Sequence, residues 1–154
     1  MRTHLFPLVA VALVAASLAA CSGSSTTPTD TTPTTPPTNE VLTGTVAAPI
    51  GGALQTAFNS FTVTAGNGTL TLTLTSAVET FPDGTLLPTV TMGMGLGTFA
   101  NGTCTPMANA FTTAQAGSSP QLNGTIAAGA YCVQMSDVTN QLGPVAYAVA
   151  VSHY

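Results

Sequence analysis

Lysine and tryptophan are missing from this chain, and its single arginine is Arg2. Charged residues make up 4% of it, against about 25% in an ordinary soluble domain. Past Arg2 nothing can neutralise phosphate, which excludes nucleic-acid binding. The same absence excludes a polybasic patch for anionic lipid headgroups. The acidic residues are Asp30, Glu40, Glu79, Asp83 and Asp137, and the histidines are His4 and His153. Helical signals are lacking too: no stretch combines helix length, 3.6-residue periodicity and a cap. Disorder throughout is nevertheless excluded by 45% hydrophobic residues and recurring strand formers.

What is there begins with an address. Met1–His4 is a short basic segment, and Leu5–Leu18 is apolar apart from Pro7 and Ser17. That run is too short for a membrane span, which needs about 20 residues, and fits a secretory signal peptide over residues 1–20. Leu18-Ala19-Ala20-Cys21 resembles the lipobox of bacterial lipoproteins. The resemblance implies cleavage before Cys21 and acylation of that cysteine, so the membrane is a partner through lipid. Several acyl chains, at about 0.8 kcal/mol per CH₂, make a stable anchor where one is marginal. Ser22 follows the cysteine where aspartate would signal inner-membrane retention, which points to the outer membrane. An ordinary signal peptide with a chance cysteine is the rival reading.

Residues 21–40 form the next unit, rich in Ser, Thr and Pro. With almost no apolar side chain to bury, the segment cannot offset the entropy of ordering. It reads as an extended tether reaching roughly 60 Å at about 3.1 Å per residue. Alternatively it is a stalk for O-glycans.

Residues 41–154 read as one domain of short strands with period-two patterning. Phe61–Thr64 alternates, Asn67-Gly68 marks a hairpin turn, and Thr69–Thr75 alternates Thr with Leu without a flaw. One or two strands lie within Leu86–Phe99, where Gly93, Gly95 and Gly97 suggest a bulge or close packing. Asn101-Gly102 turns the chain, and further strands fall at Met107–Ala114, Leu122–Ile126, Ala130–Met135 and Val145–Val151. The expectation is an all-β fold, an antiparallel sandwich of seven to nine strands, jelly-roll-like.

Phe58–Val63, Gly66 with Leu70–Leu74, Gly129–Met135 and Tyr147–Val151 follow an order that resembles the bacterial pre-peptidase C-terminal domain and its jelly-roll relatives. Those are small sandwiches appended to exported proteins. Relatives often carry an Asp-rich calcium stretch in the middle; here the middle holds Asp83 alone, and no peptidase domain accompanies it.

Three cysteines are an awkward number for an exported chain. Assigning Cys21 to lipid leaves Cys104 and Cys132, for which a disulfide is the default in an oxidising compartment. Cys132 is out of phase with Tyr131 and Val133, hence on the outer face, with Cys104 in a loop that folds over it. Zinc is the alternative but lacks ligands; two free thiols are another.

Catalysis has little to work with. His153 with Asp137 is a triad only on paper, because the histidine sits at a terminus where chains fray. Glu79 and Asp83 flank a turn and read as solvated. Together with Asp137 they fall short of the 6–8 oxygens usual for calcium, and no cofactor is expected. The Asn-Gly-Thr triplets at Asn67, Asn101 and Asn123 read as turn chemistry. Phe58, Phe61, Tyr131 and Tyr147 fall on core phases, leaving Phe81, Phe99, Phe111 and Tyr154 as candidates for a glycan platform. Edge strands without charged guards invite a protein partner. The expectation is therefore a non-catalytic interaction module, with a glycan-binding module or, further off, a minimal hydrolase as alternatives.

Overall fold

A computed structural model describes residues 36–154. The signal peptide, Cys21 and most of the tether lie outside the described residues. No helix long and apolar enough to cross a membrane occurs among the described residues.

The described chain is all-β, with nine strands in two antiparallel sheets. These are β1 (Thr38–Val46), β2 (Thr56–Val63), β3 (Gly68–Thr80), β4 (Leu86–Leu87), β5 (Met92–Ala100), β6 (Thr103–Ala114), β7 (Leu122–Ile126), β8 (Gly129–Ser136) and β9 (Val145–His153). The first sheet runs β1-β9-β3, with β7 and β4 on separate halves of the far side of β3. The second runs β2-β8-β5-β6. Setting aside the two-residue β4, the pairings nest: β1 with β9, β2 with β8, β3 with β7, β5 with β6. That nesting is a long hairpin rolled into two sheets, the jelly-roll arrangement. The first strand starts at Thr38, so Thr38–Glu40 belong to the sheet rather than to the tether in which their sequence placed them.

Period-two alternation sends one set of side chains inward. Leu70, Leu72 and Leu74 of β3 meet Met92, Met94 and Leu96 of β5, Val133 and Met135 of β8, and Val145, Val149 and Val151 of β9 in one core. Each such fully buried side chain stabilises by about 1.5–3 kcal/mol. The register of β3 against β9 slips between Leu74 and Ser76. Thr75 is the extra residue, and beyond it the inward phase passes to Ala77 and Glu79, both buried.

Turn residues behave as their chemistry dictates. Asn101 and Gly102 both have positive φ, 51° and 75°, the backbone of the tight β5–β6 hairpin. Asn67 has φ 60° in the β2–β3 turn, but β2 and β3 lie in different sheets, so this turn crosses the sandwich instead of closing the hairpin that Asn67-Gly68 suggests in the sequence. Asn123 does not follow suit: it lies in β7, opposite Thr71.

Candidate functional site

The two corners of the sandwich differ. Where β1 passes β2 the sheets are stitched together. The Asn59 amide donates to the Thr43 carbonyl at 3.2 Å, and the Tyr147 hydroxyl donates to Asn59 Oδ1 at 2.6 Å. Burial pushes the Tyr147 hydroxyl above its ordinary pKa, so it stays a donor.

The opposite corner, between β6 and β7, is open. Opposite the single Leu96, β6 carries the four residues Met107–Ala110, because Gly95 pairs with Phe111 while Gly97 pairs with Pro106. Asn109 within this bulge adopts φ 60°, a left-handed conformation uncommon outside glycine. Bulges of this kind re-aim side chains and end pairing beside binding sites. Here Met107, Asn109 and Ala110 form one wall of a cleft of about 350 Å³, and Leu122, Asn123 and Thr125 of β7 form the other. Leu70, Leu96 and Tyr131 make its floor. The Tyr131 hydroxyl is taken up by the Ala127 carbonyl at 3.1 Å. Among the described residues no charged side chain lines the cleft. It offers a neutral, apolar floor with amides at the rim, the usual composition of a small binding pocket.

A second surface is the outer face of the β2-β8-β5-β6 sheet. Gly93, Gly95 and Gly97 of β5 point outward, since Met92, Met94 and Leu96 point inward. Phe111 lies over Gly93 and Gly95. The Cys104–Cys132 disulfide lies over Gly97, with Cα atoms 5.8 Å apart. Cys104 is not in a loop: it sits in β6, paired with Phe99. Cys132 is outward in phase, as its parity requires, yet it is completely buried. Phe58 and Phe99 close over it from either side of the Ser60–Cys132–Gly97 row, ring centroids 6.1 Å apart. Phe58 is thus on the outer face, not in the core, because it has opposite parity to the buried Phe61. Among the aromatic candidates, Phe99 and Phe111 share this face with Phe58, whereas Phe81 and Tyr154 are half-buried elsewhere.

The acid and base candidates do not converge. His153 is buried in β9, in phase with Val149 and Val151, not frayed. Its ring lies 5.8 Å from Phe61, and Nε2 stands 3.6 Å from the Glu40 carboxylate. Asp137 belongs to the β8–β9 loop at the opposite end of β9, so the paper triad is not assembled. Glu79 is buried rather than solvated, and accepts from the Leu142 and Gly143 amides, the latter at 2.7 Å. Asp83 is exposed in its turn; hydrogen bonds from the Thr85 hydroxyl and amide hold its carboxyl below the ordinary range. Among the described residues no three His, Cys, Asp or Glu side chains group as metal ligands.

No protein-family model matches the chain, and no curated protein or solved structure matches it. The class defined by the described residues is a two-sheet, nine-stranded antiparallel β-sandwich.

Proposed function

We propose that the chain is a non-catalytic bacterial envelope lipoprotein, tethered through lipid on Cys21 to the outer membrane, whose sandwich is an interaction module. The anchor rests on the residues from Met1 to Cys21 and the position of Ser22. Kinship with pre-peptidase C-terminal domains rests on the stretches that carry that resemblance in the sequence.

One observation carries the interaction reading. Among the described residues β6 is a free edge, with no charge from Thr103 to Ala114 and with Met107 and Phe111 exposed, and its bulge opens directly onto the apolar cleft. Soluble proteins guard such an edge with charge, proline or bulges; β6 has Pro106 and its bulge but no charge, and Met107 and Phe111 stay exposed beside them. An extended segment of a partner pairing along β6 would satisfy its main-chain groups and set an apolar side chain in the cleft.

A photo-crosslinking residue at Thr105, in the native envelope, should give one defined adduct that a control at Ala146 does not. Met107→Lys should remove that adduct without lowering Tm. Identical adducts from both positions, or none from Thr105, would refute the edge as the interface.

The glycan reading keeps one specific observation in its favour: Phe58 and Phe111 are exposed on the same sheet face. Binding on a glycan array that is lost in Phe111→Ala, with the Thr105 adduct absent, would favour it instead.

A further inference from the structure

Two buried oxygens in the β8–β9 loop lack any partner. Asp137 is 3% exposed and Gln141 5%, and neither Asp137 Oδ2 nor Gln141 Oε1 accepts a hydrogen bond. The other carboxylate oxygen is engaged, by the Asn140 amide at 3.2 Å and the Gln141 amide at 3.4 Å. The Gln141 amide nitrogen rests on the Met92 sulfur at 2.9 Å, which leaves its carbonyl oxygen to face elsewhere. Both residues, with Thr139 between them, line one open cleft of about 210 Å³ that Pro49, Gly52 and Leu54 also line. Alternate residues of the loop thus bring a carboxylate, an amide and a threonine to one space.

A buried charge normally has a partner ion or a metal, because desolvating it alone costs several kcal/mol. The described domain contains no Lys or Arg, and its histidine is at the other end of β9. Among the described residues no protein cation is therefore available to Asp137.

We propose that Asp137 Oδ2 and Gln141 Oε1, with Thr139, hold a hard cation of the calcium class, its remaining coordination filled by water. Calcium accepts irregular sets of 6–8 oxygens, neutral ones included, whereas magnesium demands a near-ideal octahedron. A single carboxylate places affinity in the weak range of extracellular modules, with Kd of about 10⁻⁴–10⁻³ M. The open β6 edge and its cleft play no part in this.

The test uses the untagged full-length chain stripped with a chelator, then titrated with Ca²⁺ by calorimetry and melted in about 10 mM Ca²⁺, Mg²⁺, Na⁺ or K⁺. The expected result is one Ca²⁺ site and a rise in Tm of a few degrees, since ligand at ten to a hundred times Kd stabilises the folded state. Asp137→Asn should abolish both signals. If that variant does not fold, Gln141→Glu decides: it adds a carboxylate, so it should tighten Ca²⁺ binding about tenfold and melt lower than wild type only without Ca²⁺. An unchanged Tm in every ion would mean the oxygens hold ordered water, which overturns the proposal. So would an equal response to Mg²⁺, a response to Na⁺ or K⁺ alone, or Ca²⁺ binding that survives Asp137→Asn.

Discussion

Gly97 and Cys132 face each other across the β5–β8 pairing, and a Cβ on the glycine would stand 2.9 Å from the cysteine sulfur. The same atom would lie 3.0 Å from Cys104 Sγ and 2.6 Å from the Thr105 carbonyl. The disulfide links β6 to β8 over the strand between them, and only a residue without a side chain leaves room. Gly97→Ala should therefore destabilise by about 1–3 kcal/mol, the usual cost of overpacking, as measured by urea unfolding. In a Cys104→Ala background the penalty should shrink but persist, because the Thr105 carbonyl remains.

The disulfide closes a separation of 28 residues. On loop-entropy grounds its loss costs about 3.5 kcal/mol, a large share of the roughly 5–15 kcal/mol of a typical domain. Cys104→Ala should lower Tm under oxidising conditions and have little effect in reductant. Non-reducing mass spectrometry should find no alkylatable thiol at Cys104 or Cys132.

Glu79 accounts for much of the shape of the β8–β9 loop. Replacing it with leucine removes the acceptor for the Leu142 and Gly143 amides and leaves the buried Gly143 donor unpaired. At about 1–3 kcal/mol for such a group, Glu79→Leu should lower the urea midpoint clearly. Hydrogen exchange at Leu142 and Gly143 should accelerate ahead of exchange in the core strands.

At Asp83 the sign of the pH effect follows from the Thr85 hydrogen bonds, hydroxyl first, then amide. The folded carboxyl titrates below its unfolded counterpart, so its contribution is present above the unfolded pKa and is lost as pH falls through the folded one. An NMR titration should place Asp83 below free aspartate, and Thr85→Ala should move it back up. Because the group is fully exposed, global stability should barely change.

Lipidation is checked by metabolic labelling with a fatty-acid probe, which should mark the wild type and not Cys21→Ser. The processed protein should also resist trypsin even when unfolded, since no Lys or Arg follows Arg2.

Sequence alone revealed the strands whose pattern is local. Thr69–Thr75 alternates so regularly that β3 could be nothing else, and the Asn101-Gly102 turn announced its hairpin. The parity of Val145, Tyr147, Val149 and Val151 extends to His153, so the burial of that histidine was legible and was obscured by its position near the terminus. Glu79 was not legible. Its inward direction depends on one extra residue at Thr75, and a bulge leaves no signature in a run of Thr, Ser and Ala. The start of β1 has no local signature because Thr38–Glu40 continue the composition of the tether. The cleft was hidden for a different reason. Four residues of β6 bulge opposite one of β5 only because sheet pairing holds both sides of Met107–Ala110, a tertiary condition with no local pattern.

The nesting of the strands also sets an order of events. β9 lies between β1 and β3, so the first sheet lacks its middle until residues 145–153 are free to pair. Contacts this distant in sequence slow folding, since loop closure must precede any gain from pairing. A chain emerging from its N-terminal end cannot complete either the β1–β9 or the β2–β8 ladder early. Until they arrive only the β3–β7 and β5–β6 ladders of the nest have both of their strands, so the sandwich closes last along β2–β8 and β1–β9.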